Sequence, residues 1–466
     1  MPAAAMRSRV FRVLPEWLED ETATVPEHAA FLGPDALEDR LREIAAGSRG
    51  VATYRRAGTS RGGSPIGCLT VGEGDRDAVV FGLPHPNEPI GGLTAVHLAE
   101  RMTADDGLRE RLGHRWHIVA CIDPDGLRLN EGWLAGPFTR EHYLRNFYRP
   151  AGDEQVEWTF PVDHKRAYFD AVLPETVALM RLIDATRPSL LGSLHNSELG
   201  GAYYYLTRSE PDLHPVLQAL PERFGIPLDR GEPESPTSKV FAEGIFSAMR
   251  LAEIYDEAEA AGDPLPLGAG DTSDSYAARY GTLCIVSELP YWRDPRVADT
   301  SPGTTTYAAA LAAQAGAIAE VGQLIVDGLD RVAGRLLVDS PFLRATKFFG
   351  PALLDGAAVT RRRAAEPVAD RTATVAEEAG IADQVHSFRL RFVGMFWRCL
   401  EAEATVGNVR PEVLRLRDDL AARLDAWHVE AAAADKAEVI AIRSLVATQY
   451  GALLACARHL HTGNPA

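Results

Sequence analysis

Residues 81–92 read FGLPHPNEPIGG and set His85 and Glu88 three positions apart. An imidazole nitrogen and a carboxylate oxygen at that separation can share one metal ion, and zinc accepts both donor types. The pattern is cheap, however. A chain with 13 histidines should hold about one His-x-x-Glu pair by accident. This chain holds three: His85/Glu88, His97/Glu100 and His195/Glu198. Spacing does not choose among them, so the elements that carry them must.

The run Asp77–Leu83 (DAVVFGL) is apolar enough to be a buried strand, and Gly91-Gly92 opens a helical pattern over about 92–102. His85 and Glu88 therefore sit in a loop where a strand ends. His195 follows the apolar run Ser189–Leu194, and Glu288 follows Thr282–Ser287. His97 and Glu100 fall inside the helix, where His97 is expected to be an ordinary surface or interface residue. Further strands are expected at 51–55, 66–71 and 117–122, and helices at 34–46, 175–185, 241–261 and 274–280. Residues 123–165 read as a long, irregular, Arg- and aromatic-rich stretch. Strands alternating with helices predict an α/β fold, a mostly mixed central sheet covered by helices on both faces. Ligands gather outside the carboxyl ends of strands in such sheets, and three strand ends carrying His and Glu converge on one crevice.

The length, 466 residues, exceeds one ordinary core, and from about 330 the composition turns Ala-, Arg- and Leu-rich with helical spacing. Two units are expected: 1–330 as the catalytic domain and 331–466 as a C-terminal helical unit. Stripes in Val413–Trp427 and Val439–Cys456 suit core packing or a homo-oligomer contact rather than a cofactor site. The formal net charge of −17 argues against nucleic acid and against an anionic membrane surface, though it also serves simple solubility. The first 17 residues lack the apolar core of a signal peptide, and no apolar run looks long enough to span a bilayer. Five scattered cysteines suit reduced thiols. A cytoplasmic protein is expected.

Two histidines and a glutamate leave a fourth zinc position open for water, as catalytic sites require. His85, Glu88 and His195 supply that set, one zinc per chain. A carboxylate must then move the proton from water to the leaving nitrogen, and Glu288 is the candidate. The bland alternative for Glu288 is a sheet-end ion pair with Arg293.

Five stretches in order carry a resemblance over roughly residues 50–300: TSRGGSPIGCLTVGEGDRDAVVFGLPHPNEPIGG, CIDPDGL, YLRNF, GSLHN and GDTSDSYAARYGTLCIVSEL. Together they resemble the zinc metallocarboxypeptidase family, the carboxypeptidase A-like or funnelin group. The resemblance implies that fold, zinc at His85, Glu88 and His195, and a general base at Glu288. It further implies that Arg145 holds a substrate carboxylate and that Arg128 or Arg140 polarises the scissile carbonyl. Ser273 falls at the position lining the side-chain pocket. The chain departs from the family pattern at His142 and Leu144, which leaves Arg149 as a compensating cation. The function implied is cleavage of a C-terminal peptide or peptide-like amide bond in a small substrate. The alternative is a zinc deacylase of the aspartoacylase or succinylglutamate desuccinylase kind, acting on an N-acyl amino acid.

Overall fold

The computed structural model describes residues 14–229 and 238–465. The N-terminal stretch read for a targeting signal and much of the loop-rich segment after Leu228 lie outside the described residues.

A nine-stranded mixed sheet forms the centre. Its four middle strands, His114–Val119, Arg76–Gly82, Leu190–His195 and Leu283–Glu288, run parallel in that spatial order. Pro65–Val71 and Ala52–Thr59 add an antiparallel edge on one side. Tyr203–Leu206, Ile245–Ser247 and Val240–Ala242 complete the other.

The middle strands are apolar on both faces because both faces are covered. Ala78 and Val80 join one core, while Val79 and Phe81 join the other, all four with no exposed surface. Helices Pro34–Gly47, Ile90–Ala104 and Ile442–Thr462 cover the first face, and Pro174–Thr186 with Ser273–Ala277 covers the second. This is the α/β architecture the strand and helix spacing predicts.

The region after Thr306 divides between two packings. Helices Tyr307–Arg331, Pro341–Arg363, Val375–Thr405 and Pro411–Ala434 form a bundle beside the sheet. The last helix, Ile442–Thr462, instead returns to the sheet against Ile90–Ala104 and Leu190–His195. Tyr307–Arg331 is, by length and composition, long and apolar enough to cross a membrane, a property the sequence reading did not anticipate. Here it packs against Pro341–Arg363 and Val375–Thr405 as a bundle member.

The helix expected over 241–261 starts later, at Leu251. Gly244 takes φ +67° and turns Val240–Ala242 back on Ile245–Ser247 as a hairpin. Phe246 then packs against Tyr203 and Tyr205, a reward that helix periodicity alone does not display.

Candidate active site

The loop with His85 and Glu88 leaves the strand Arg76–Gly82 through Leu83, whose φ of +61° is unusual for a branched side chain. Such a conformation costs on the order of 1–3 kcal/mol and persists only where surrounding packing imposes it. The packing here is tight. A Cβ on Gly91 would come within 2.7 Å of Leu194 Cβ and 2.9 Å of its carbonyl oxygen. Only glycine lets the helix Ile90–Ala104 begin directly beside the strand that ends in His195.

The parallel register then sets Gly82 beside Leu194 and Glu288 directly across from His195. From Arg76–Gly82 the chain crosses to one side of the sheet, and from Leu190–His195 it crosses to the other. The crevice between them is a topological switch point.

The structure brings His85, Glu88 and His195 together. One ligand atom from each lies within 4.8 Å of the others, and all three residues are buried. His195 Nδ1 stands 3.1 Å from Glu88 Oε2 and 3.7 Å from Glu288 Oε1. The rings of His85 and His195 meet edge to face at 4.9 Å. His85 Nδ1 is buried with no hydrogen-bond partner among the described residues. Burial, reinforced by Arg149 and His195, holds His85 well below the usual imidazole range, so its ring is neutral. Burial lowers His195 as well, but the hydrogen bond and charge of Glu88, with Glu288 and Glu157, outweigh it and lift the group to about 9. A neutral imidazole with an unpartnered nitrogen, beside carboxylates that demand positive charge, is what a divalent metal requires. The donor set fits zinc.

Of the side chains that support these residues, Ser273 alone is singled out by the sequence, and there as a pocket residue. Ser193 Oγ lies 2.9 Å from His195 Nε2 and reaches Glu157 at 3.4 Å. Glu157 Oε1 in turn accepts from Ser273 N at 2.9 Å and Ser273 Oγ at 2.7 Å. Gln449 of the last helix donates to the His195 carbonyl at 2.7 Å. Ser193 stands two residues before His195, but only the fold unites Glu157, Ser273 and Gln449 with the ligands.

A cavity of about 840 Å³ opens onto the cluster. One wall is the strand ends, with Tyr203, Tyr205 and Trp158. The facing wall is the first half of the helix Val375–Thr405, from Ala376 to Arg391. That helix begins with a capping box, in which Thr374 and Glu377 satisfy each other's backbone donors. Glu378 further accepts from Thr304 N and Thr305 N, pinning the helix start to the strand pair Pro302–Thr306 and Thr372–Thr374. Arg391 pairs with Glu198, which also accepts from Tyr143 Oη. Glu198 is thereby held to the helical roof.

The structure places three of the four arginines away from the cavity. Arg145 is 43% exposed and pairs with Glu141 at 2.9 Å and Asp425 at 3.0 Å, away from the cavity. Its helix, Arg140–Asn146, turns Tyr143 and Leu144 inward instead. Arg128 lies on the surface, where Asp35 holds it at 2.5 Å. Arg140 is half-buried and engaged by Asp383, by Ser387 at 3.2 Å and by Asp435 at 3.6 Å. Ser273 is wholly buried and serves Glu157 rather than lining the cavity.

Arg149 is the one of the five named residues that reaches the cavity. Its Nη1 lies 3.1 Å from Glu88 Oε1, its Nε donates to Gln155 at 3.0 Å, and its guanidinium stands 5.6 Å from the Trp158 ring centre. His97, expected as a surface or interface residue, is 4% exposed, 3.1 Å from Thr24 Oγ1 and packed edge-on against Tyr450 of the last helix.

No family model matches the chain. An uncharacterized protein of Zymomonas mobilis is 33% identical over 102 residues, which is 21% of this chain. The chain spans only 27% of that relative's length. Among solved structures, carboxypeptidase A from Helicoverpa armigera matches at 15% identity and a TM-score of 0.38, over 75% of this chain and 79% of that one. A metallo-carboxypeptidase from Burkholderia cenocepacia matches at 18% identity and 0.33, over 54% and 60%. A murein-tripeptide amidase from Escherichia coli O157 matches at 19% and 0.27, over 51% and 83%. Overlaps this shallow leave the chemistry of the site to its own geometry.

Proposed function

We propose that the protein is a zinc-dependent hydrolase of the carboxypeptidase type, cleaving a peptide or peptide-like amide bond of a small substrate. The observation that carries this reading is the convergence of His85, Glu88 and His195, with Glu288 in register beside His195, at the floor of one cavity. His85, Glu88 and His195 would hold the metal. When bound, zinc supplies Lewis acidity, which sharpens the acidity of water and polarises a carbonyl.

Glu288, 8% exposed, takes the proton of the attacking water and returns it to the leaving nitrogen. Arg149 offers the guanidinium beside the ligand set, suited to a carbonyl or carboxylate oxygen. Ser193 and Glu157 hold the His195 ring. The roof of Val375–Thr405 bounds the substrate, so a folded polypeptide is excluded and a short one admitted. In this reading specificity comes from the cavity.

The test is Glu288→Gln, assayed on a library of short peptides after zinc loading. Glutamine is nearly isosteric yet cannot accept the proton, so turnover should fall by about 10³-fold or more with zinc content unchanged. Wild-type turnover in this variant would refute Glu288 as the base.

A further inference from the structure

The parallel ladder between Leu190–His195 and Leu283–Glu288 ends at the pair His195 and Glu288. The two groups on which the chemistry turns therefore have the ladder on one side only, at the point where the chain leaves both strands. His195 Nδ1 and Glu288 Oε1 stand 3.7 Å apart. Proton transfer needs a reach of about 2.6–3.2 Å, or one intervening water. A misplacement of about 1 Å between reacting groups can cost about 10²-fold in rate. Something must keep the two strand ends from splaying.

Gln449 of the last helix reaches both. Its Nε2 donates to His195 O at 2.7 Å and to Ser287 O at 3.3 Å, and its Oε1 accepts from Thr94 Oγ1 at 2.9 Å. Gln449 and Thr94 have no exposed surface. Thr94 lies in Ile90–Ala104, the helix into which the His85 and Glu88 loop runs. One neutral amide thus touches the three segments that carry all four functional groups. The donor count suits an amide: two backbone carbonyls can only accept, and an ionised carboxylate or a thioether of similar size has no proton for either. Asn196 Nδ2 joins His195 O as well, at 2.5 Å, but from the next position in the chain. Gln449 links that carbonyl to the neighbouring strand.

We infer that Gln449 is a positioning residue for the hydrolysis, its amide fixing the strand end of His195 against that of Glu288 and both against the helix that follows His85 and Glu88. The last helix, Ile442–Thr462, thereby sets the geometry of the site as well as filling the core. The inference rests on the hydrolase reading for the step it serves, but its effect on the metal can be measured without turnover. The rival is a buried amide that only adds stability. Leu453, on the same helix, lies against Gly192 in the middle of the strand and supplies the comparison.

The experiment compares Gln449→Met, which keeps the length of the side chain and removes all three bonds, with Leu453→Ala. On short peptides the zinc-loaded Gln449→Met protein should lose about 30-fold or more in kcat with KM within about 2-fold of wild type. Competition with a chromophoric chelator should show its zinc held about 10-fold more weakly. Leu453→Ala leaves a cavity, so it should melt at a lower temperature with kcat and zinc affinity within about 2-fold of wild type. Should Gln449→Met fail to fold, Thr94→Val frees one end of the same amide and should lower kcat and zinc affinity about 3-fold or more, with Thr94→Ser restoring both. A folded Gln449→Met with unchanged kcat and zinc affinity, equal losses in Leu453→Ala, or a Thr94→Val indistinguishable from wild type would overturn the inference. Zinc held more weakly by Gln449→Met, in a protein whose wild type hydrolyses no short peptide, would instead overturn the hydrolase reading and leave the positioning of His195 standing.

Discussion

Two His-x-x-Glu pairs twelve residues apart have opposite fates in this fold. His85 and Glu88 lie beyond a strand end, where the backbone bends through Leu83 and both side chains turn into the same crevice as His195. His97 and Glu100 lie on the helix that follows. There His97 packs on Tyr450 and meets Thr24, while Glu100 reaches Arg40. Both histidines are 4% exposed, so burial does not separate them. What separates them is company. Each keeps one buried nitrogen without a hydrogen bond, but His85 has a second imidazole and a carboxylate at hand, whereas His97 has an aromatic ring and a hydroxyl. Residue type and spacing become a site only where topology brings a third and fourth group to the same point.

The sharpest way to break that comparison is by metal content. His85→Ala and His195→Ala should each abolish retention of zinc through dialysis against a chelator, because two remaining donors cannot close a catalytic site. His97→Ala should retain about one zinc per chain. Elemental analysis decides it, and zinc lost equally from the His97 variant would mean that the two pairs are not distinct.

The arginines give a second contrast of the same kind. Arg145→Ala, at an exposed pair, should change kcat/KM by less than about 2-fold, since exposed ion pairs contribute about 0–1 kcal/mol. Arg149→Ala removes a charge held at 20% exposure against Glu88 and should cost about 30-fold or more, roughly 2 kcal/mol. A larger loss at Arg145 would return the substrate contact to the position that the motif YLRNF suggests.

These contrasts mark what the sequence could and could not convey. The strand ends were legible because a buried parallel strand is an apolar run, and a His or Glu directly after it stands out. His85, Glu88, His195 and Glu288 all follow such runs. The placement of Arg145 and Arg128 outside the cavity was not legible, because the 123–165 stretch has no periodicity to fix which way its side chains point. Its turns are set by caps such as Asp123 on Gly126 N and Thr139 on His142 N, and by packing on the helical roof. The roof itself was invisible. Helical spacing in 375–405 announces an apolar stripe, yet does not say that its other face overlooks a cleft assembled from residues 85 to 288. Gln449, bonded to the His195 carbonyl, is hidden for the same reason: its partner is backbone, and backbone has no sequence signature.

The support of the strand-end pair can be tested more finely. Glu157→Gln keeps the shape but weakens the charge-assisted hold on Ser193 and Ser273, and through Ser193 on His195. Loss of such support typically costs 10–100-fold in metal affinity. Competition with a chromophoric chelator should therefore show zinc held about 10-fold more weakly, with the melting temperature little changed. Unaltered zinc affinity would mean that the ring of His195 is positioned by the strand alone.

The smallest effect concerns the helical pair, and it is a matter of pH. Burial lowers His97 to about 4, with Arg101 and His28 pushing the same way. In the unfolded chain the same ring titrates near 6.5. Between those values the unfolded state binds a proton that the folded state refuses, so stability must fall as pH drops from about 6.5 to about 4, and level off below. By linkage this ring alone accounts for a loss on the order of 2–3 kcal/mol across that window. Replacing it with phenylalanine keeps an aromatic surface against Tyr450 and removes the proton, at the expense of the Thr24 contact. His97→Phe should thus be slightly less stable than wild type at pH 7.5 and lose less stability on going to pH 5. His114 and His428, also lowered to about 4 by burial, remain in both proteins and cancel in the difference. Urea unfolding at the two pH values measures it. Parallel stability curves for the two proteins would mean that His97 is not held neutral, and that its burial among apolar neighbours is not what distinguishes it from the pair at the strand end.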